Sequence, residues 1–597
     1  MTNLQTIQSE DITISNLFND YYIVPSFQRE YVWEDVEVNQ LMQDIYAEFM
    51  GGDQDPSSEY FIGSMVVCAD TEGTYEIIDG QQRITTVYLF LCAVRDHLRE
   101  ANAAPIQVLE QQIAAAAVDN TGKDVFRYRV ILQYEDSCGL LEHIASGSDG
   151  STYSMPENTR SVANILNAYE LIRGFIRNEF GEDHKSLRRF YAFFTRNVKL
   201  IRVRTINIAR ALKVFETIND RGVGLDSMDL LKNLMFMKAS REDFDRLSDK
   251  WKELVDTLYM ASEKPLRFLR YFIFSQYKVD RLREDQIYQW FTQNATECGY
   301  DVNPFAFVDQ LIDSAHAYAL FIAGKNIDET LNRYLFNIRC LSGAARQHLI
   351  LLLAGQRLPI DCFTELCRHL ENLFFAYIIA REPTREFERT FAQWAPELRR
   401  VENKNGLDEF IAKRFQPAKE SLAARFTLAF DELYEWSLQK YRIRYILAKL
   451  TQFINERAWG STGPQADLRT FISSEVEIEH ILPQTPSPEV LAAFDKKEEI
   501  KDFIYALGNL TLVEKTINCS VGNGLFGEKK NAYKQSNFLI TKSLDEKVSV
   551  GVNTAVNRAV SGLLTFDKWT SESIDQRQKM LTLLAKQVWD MSGESTA

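Results

Sequence analysis

Apolar and polar positions alternate with a period of two in some stretches of the chain and recur at helical spacing in others, and the change from one to the other divides it. Residues 11–34, DITISNLFNDYYIVPSFQREYVWE, begin as a short helix candidate and run into an aromatic-rich extended stretch, where Pro25 disfavours helix at Val24 before it. A helix is predicted over 36–50. Two β-rich runs, 60–68 and 75–78, flank the turn-forming Thr-Glu-Gly-Thr and read as a hairpin. Gln81 to Leu98 reads as a buried helix, and the handover from strand to helix falls at Asp79-Gly80. Alternation at 124–133 and 197–206 predicts further strands. From 208 to 440 Leu, Phe, Arg and Glu recur at helical spacing and strand signals are scarce. After 440 come a strong helix (YRIRYILAKLTQFIN), β-like runs at VEIEHIL and LGNLTLV, a Gly/Asn-rich loop and a helix candidate at 528–536.

This pattern predicts a multidomain α+β protein, predominantly helical. Its expected parts are an α/β region over 1–240, a helical middle over 241–440 and a small mixed domain over 441–597. At 597 residues, with 45% hydrophobic and 25% charged positions, the chain is ordinary for globular proteins, which argues against disordered or fibrous classes. No apolar run reaches the length needed to cross a bilayer, and the first twenty residues lack the basic and apolar regions of a leader, so a cytoplasmic location is expected. Eight scattered cysteines suit a reducing compartment, and Cys362 with Cys367, in an apolar segment, reads as two buried thiols rather than a zinc site.

Candidate chemistry concentrates in two places. Among seven histidines, His480 alone ends a predicted strand beside a carboxylate, Glu479, with Asn509 and Asn518 downstream. Such a set suits phosphodiester hydrolysis, which needs a base for water and oxygen ligands for a hard cation such as Mg²⁺ or Mn²⁺. A core histidine with two turn asparagines is the competing reading. Lys529, Lys530 and Lys534 either contact phosphates or form a solvated face. The second place is Asp79-Gly80-Gln81-Gln82-Arg83, where free helix N–H groups and Arg83 could bind a phosphate, or Asp-Gly could simply cap the helix. Tyr22, Phe27, Tyr31 and Trp33 could line a pocket for a modified base or could be ordinary core.

The runs EVEIEHILPQ, LGNLTLVEKTIN and FGEKK resemble the HNH (ββα-metal) domain of GmrSD-type modification-dependent, type IV restriction enzymes, with intervals of 29 residues from His480 to Asn509 and nine from Asn509 to Asn518. IVPSFQREYVWE, GSMVV, IIDGQQR and the block at 213–236 are similar to the N-terminal, ParB-like domain of the same family. The resemblance implies His480 as general base, Asn509 as the residue that positions its strand, and Glu479 and Asn518 as metal ligands. It implies a nucleotide site at Asp79, Gly80, Gln81, Gln82 and Arg83, with Gln28, Arg29 and Asn219 to Gly222 as neighbours. Its partners would be double-stranded DNA, modified or of phage origin, and a nucleoside triphosphate such as GTP, with a homodimer left open.

Two rivals stand beside this reading: an NTPase switch with a degenerate nuclease, and a non-catalytic DNA- or partner-binding protein with remnant motifs. The net charge of −15 bears on both. Residues 441–597 hold 19 Lys+Arg against 19 Asp+Glu, so the acidic excess lies wholly in residues 1–440. An acidic remainder would weaken nonspecific DNA binding and make cutting depend on a specific cue.

Overall fold

Residues 7–28, 30–51, 59–71, 73–118, 124–133, 139–147, 160–219 and 227–591 are described by a computed structural model of the chain. They form two units, Met1–Glu253 with Tyr288–Asp309, and Leu254–Ile287 with Gln310–Ala597. The chain is mostly helical with a small mixed sheet, as the pattern predicts at that level. No helix among the described residues is long and apolar enough to cross a membrane.

The sheet of the first unit is built on the predicted hairpin. Strand β3 (Tyr60–Thr71) and β4 (Thr74–Asp79) pair antiparallel, with Val67 opposite Ile77. On one side β8 (Val198–Thr205) lies parallel to β3, and β1 (Gln8–Thr13) closes that edge antiparallel to β8. On the other, β2 (Tyr21–Val24) runs parallel to β4 and to β7 (Val130–Leu132). The single strand expected at 124–133 is in fact two. Residues Asp124–Tyr128 (β6) pair with Ala114–Val118 (β5) in a separate ribbon, and the chain bends at Arg129, whose guanidinium donates to the carbonyls of Asn19 and Gln111. An all-alanine run ending in valine carries little strand signal, so β5 is invisible in the pattern.

Helix Gln81–Glu100 is apolar on every side from Val87 to Val94 and is buried along most of its length, as a helix inside a core must be. Phe90 stacks on Phe194 at 4.1 Å and meets Phe190 edge-on, which fixes the helix His184–Arg196 against it.

In the second unit no break falls at residue 440. Trp589, fully buried after the last helix Ser571–Val588, stacks on Phe375 of helix Ile360–Ile379 at 3.8 Å. Glu371, in the same middle helix, is fully buried and accepts hydrogen bonds from Tyr445 and Asn337 and an ion pair from Lys449. Middle and C-terminal helices therefore share one core, which periodicity along the chain cannot reveal. The two strands expected after 440 are present: β9 (Val476–His480) pairs antiparallel with β10 (Leu510–Glu514), placing His480 opposite Leu510. Helices Lys515–Val521 and Phe526–Tyr533 follow.

Two middle-region histidines are structural. Burial pushes His348 and His369 down to about 3, so both are neutral in the fold. The unfolded chain, with histidines near 6.5, binds protons that the folded state refuses. Stability is therefore complete above that value and is lost as pH falls from it toward 3. Replacing His348 with Leu should flatten the decline of the thermal midpoint between neutral pH and about pH 4.5, measured by calorimetry; a slope equal to that of the unaltered protein would refute the assignment.

Candidate functional site

At the N-terminal candidate site the chain leaves β4, turns at Gly80 and enters helix Gln81–Glu100. Gly80 holds a φ of 93°, and a Cβ there would lie 2.9 Å from the Met65 side chain, so the turn needs glycine for both conformation and space. Asp79 accepts the Gly80 N–H at 2.7 Å. Gln82 is buried and reaches across to the aromatic-rich segment, accepting from the N–H groups of Val32 and Trp33 and donating to the Glu30 carbonyl. Arg83 donates through Nη1 to the Ser64 carbonyl at 2.6 Å, beside Gly63, which has no side chain to block it.

These residues line a solvent-open pocket together with Gln28, Phe27, Trp33, Phe215, Asp229, Lys232 and Asn233. Gln28 keeps its amide nitrogen buried with no hydrogen-bond partner among the described residues. Lys232 adds a second cation that the DGQQR motif alone does not announce. Arg29 and residues 220–222 lie outside the described residues, and Asn219 closes helix Ile208–Asn219.

The aromatic set divides. Phe27 and Trp33 line the pocket, whereas Tyr22 and Tyr31 are core residues. The Tyr22 hydroxyl accepts from Arg202 at 2.6 Å, and burial raises its pKa; the Tyr31 hydroxyl bonds Thr86 at 2.7 Å. Neither lines the pocket: alternation along β2 turns Tyr22 inward, and Tyr31, outside any strand, is buried against Thr86.

In the C-terminal unit, Asn509 is fully buried and every group of its amide is used. Its Oδ1 accepts from the Leu482 N–H (2.7 Å) and from the Trp569 indole (2.9 Å), and its Nδ2 donates to the carbonyls of Leu482 and Ile504. The Asn509 carbonyl also accepts from the Ile481 N–H, and Arg577 donates to the carbonyls on either side, Gly508 and Leu510. Asn509 thus clamps the backbone that immediately follows His480.

His480 is buried, and its Nε2 lies 2.9 Å from Glu435 Oε2 and 3.1 Å from Gln484. Its ring meets Tyr505 edge-on at 6.0 Å. Alternation along β9 sends Glu477 and Glu479 to the opposite face. There Glu479 Oε1 takes both the Lys529 ammonium (2.7 Å) and the Tyr533 hydroxyl (2.9 Å). Burial holds the Lys529 ammonium below its usual pKa, opposed by Glu479, and raises that of the Tyr533 phenol. Asn518 donates to Glu477 Oε2 at 2.6 Å and not to Glu479.

Two expectations change in consequence. Glu479 and Asn518 are not brought together as a ligand pair, because Glu479 neutralises a buried lysine. Nor do Lys529, Lys530 and Lys534 form one phosphate-facing row: Lys529 is inside, Lys530 pairs with Asp545 and the Phe566 carbonyl, and only Lys534 is exposed, beside Glu546. Glu435 and Glu477 escaped the sequence reading. Glu435 lies 45 residues before His480 with no local motif, whereas Glu477 could have been found from its two-residue spacing to Glu479.

The described residues thus hold two candidate sites, a polar, cation-bearing pocket in the first unit and a clamped, carboxylate-bound histidine in the second. Residues 14–236 match the GmrSD restriction endonuclease N-terminal domain, and residues 420–584 match the GmrSD restriction endonuclease C-terminal domain. The chain belongs to the GmrSD restriction endonucleases and carries both domains in one polypeptide. No curated protein matches it.

The buried pair gives a stability prediction. Glu479→Ala strands the Lys529 ammonium and should cost about 3–5 kcal/mol. The double change Glu479→Leu with Lys529→Met should cost much less, read from urea midpoints; equal losses would show that the pair is not electrostatically coupled.

Proposed function

We propose that the chain is a type IV-like restriction endonuclease that cuts modified or foreign DNA in its C-terminal domain, under control of a nucleoside triphosphate bound at the Asp79–Arg83 pocket. The observation that carries the nuclease reading is the clamp of Asn509 on the backbone after His480, which fixes a histidine on a β-strand pair followed by helices. That arrangement supports a ββα-metal, or HNH, nuclease.

His480 acts as general base. It removes a proton from water, the water oxygen bonds to phosphorus, the bond to the leaving oxygen breaks, and solvent protonates that oxygen. A hard cation such as Mg²⁺ or Mn²⁺ would supply charge neutralisation at the phosphoryl oxygens. Glu477 and Asn518 are bonded to each other on the face of β9 opposite His480, so they do not fit a cation that serves the phosphate His480 faces.

In the N-terminal domain, which we read as ParB-like, Arg83 and the first N–H groups of helix Gln81–Glu100 would receive phosphates, with Lys232 as a second cation. The aromatic walls at Phe27, Trp33 and Phe215 would hold the base. GTP suits this pocket as a triphosphate, and the orphaned Gln28 amide offers a hydrogen bond to it. Such control in a cytoplasmic enzyme would spare host DNA.

The test is cleavage of unmodified, methylated, glucosylated and phosphorothioated DNA with Mg²⁺, with and without each triphosphate. His480→Ala should lower the rate by about 10²–10⁴-fold, and Arg83→Ala should abolish nucleotide turnover while leaving the fold intact. Equal cutting by the unaltered protein and His480→Ala would remove His480 from the mechanism. Cutting of no DNA would favour a binding protein, and undiminished turnover in Arg83→Ala would sink the nucleotide site.

A further inference from the structure

We propose that Glu435 is a positioning residue for His480, fixing the tautomer and orientation of its imidazole; this rests on the reading of His480 as general base. Glu435 lies in the short turn Glu435–Ser437, before the helix Lys440–Trp459 and outside the strands and helices that carry the rest of the site.

The turn is fastened to the loop that leads into Asn509. The Glu435 N–H donates to the Tyr505 carbonyl at 2.8 Å, Tyr434 bridges Ala506 antiparallel, and the Leu507 N–H donates to the Leu433 carbonyl at 2.9 Å. The chain therefore runs as a short extra strand beside 505–507. Tyr505, the residue that receives the Glu435 N–H, also packs its ring on His480. One piece of backbone thus holds the carboxylate, packs the imidazole and carries Asn509.

The proton arithmetic at His480 follows. A neutral imidazole has one N–H, and Glu435 Oε2 lies 2.9 Å from Nε2. A carboxylate can only accept, so the proton resides on Nε2. The Gln484 amide, whose nitrogen is placed 3.1 Å from the same atom, must then be turned to present its carbonyl. Nδ1 is left with a lone pair and, among the described residues, no protein partner. It is the nitrogen that can take the proton from water. When it does, the imidazolium forms against a carboxylate whose side chain is 19% exposed, with its own side chain 10% exposed, so the attraction is little screened. The proton on Nε2 stays where it is, and Glu435 acts by orienting and by charge, as the acidic member of a catalytic triad does. The other groups facing the ring are Gln484 and Tyr505; Lys529 reaches only the His480 backbone carbonyl, at 2.9 Å.

The test uses the full chain in the forms Glu435→Gln, Glu435→Asp and His480→Ala. Cleavage rate at saturating DNA, KM and thermal midpoint are measured for each. Glu435→Gln should lower kcat by about 10- to 100-fold with KM within twofold. Glu435→Asp should recover part of kcat. A Glu435→Gln enzyme with unchanged kcat, beside an inactive His480→Ala, overturns the role of Glu435 and leaves His480 as base. An active His480→Ala overturns both. A readout independent of substrate is the ¹⁵N spectrum of the His480 ring: the proposal requires the Nε2–H tautomer, and an Nδ1–H tautomer defeats it.

Discussion

The buried amide of Asn509 is the constraint on which the C-terminal site depends. A side-chain amide out of water is costly unless its hydrogen-bonding capacity is met. Here the partners are the Leu482 N–H and carbonyl, the Ile504 carbonyl and the Trp569 indole. Those partners come from segments well separated in sequence, so satisfying one amide fixes the loop after His480, the loop before β10 and the Trp569 segment relative to each other. Arg577, fully buried, extends the same logic by holding the carbonyls that flank Asn509. Removing any one partner would leave a buried polar group unpaired.

The N-terminal site rests on a different device. A left-handed glycine, closely backed by Met65, turns β4 directly into a buried helix and leaves the helix amides facing a pocket. Gln82 then ties the aromatic-rich segment to that helix. The motif residues are consequently divided: Gly80 and Gln82 build the turn, while Arg83 is anchored by one nitrogen on the Ser64 carbonyl.

Much of this was legible in the residues, for a local reason. The β3–β4 hairpin, the helix from Gln81 and the β9 and β10 strands are set by period, turn chemistry and short-range spacing, all of which the chain states directly. Asn509 was legible through its spacing to His480. What misled was side-chain direction. Tyr22 and Tyr31 look no different in sequence from Phe27 and Trp33, yet the first pair faces the core. Lys529 looks like its neighbour Lys530, yet one helical step rotates it inward onto Glu479.

The sequence by itself determined most of the elements, though not β5 or the break between β6 and β7, together with the family, the His480 and Asp79–Arg83 motifs, and the concentration of acidic charge in residues 1–440. Those follow from the order of residues over short stretches. The tertiary structure decided which groups meet: Glu435 with His480, Glu477 with Asn518, Lys529 with Glu479, Lys232 with the motif pocket, and the C-terminal helix with the middle helices in one core. A carboxylate 45 residues from its histidine leaves no periodic trace, because their approach is fixed by the packing of the backbones that carry them and not by the distance along the chain.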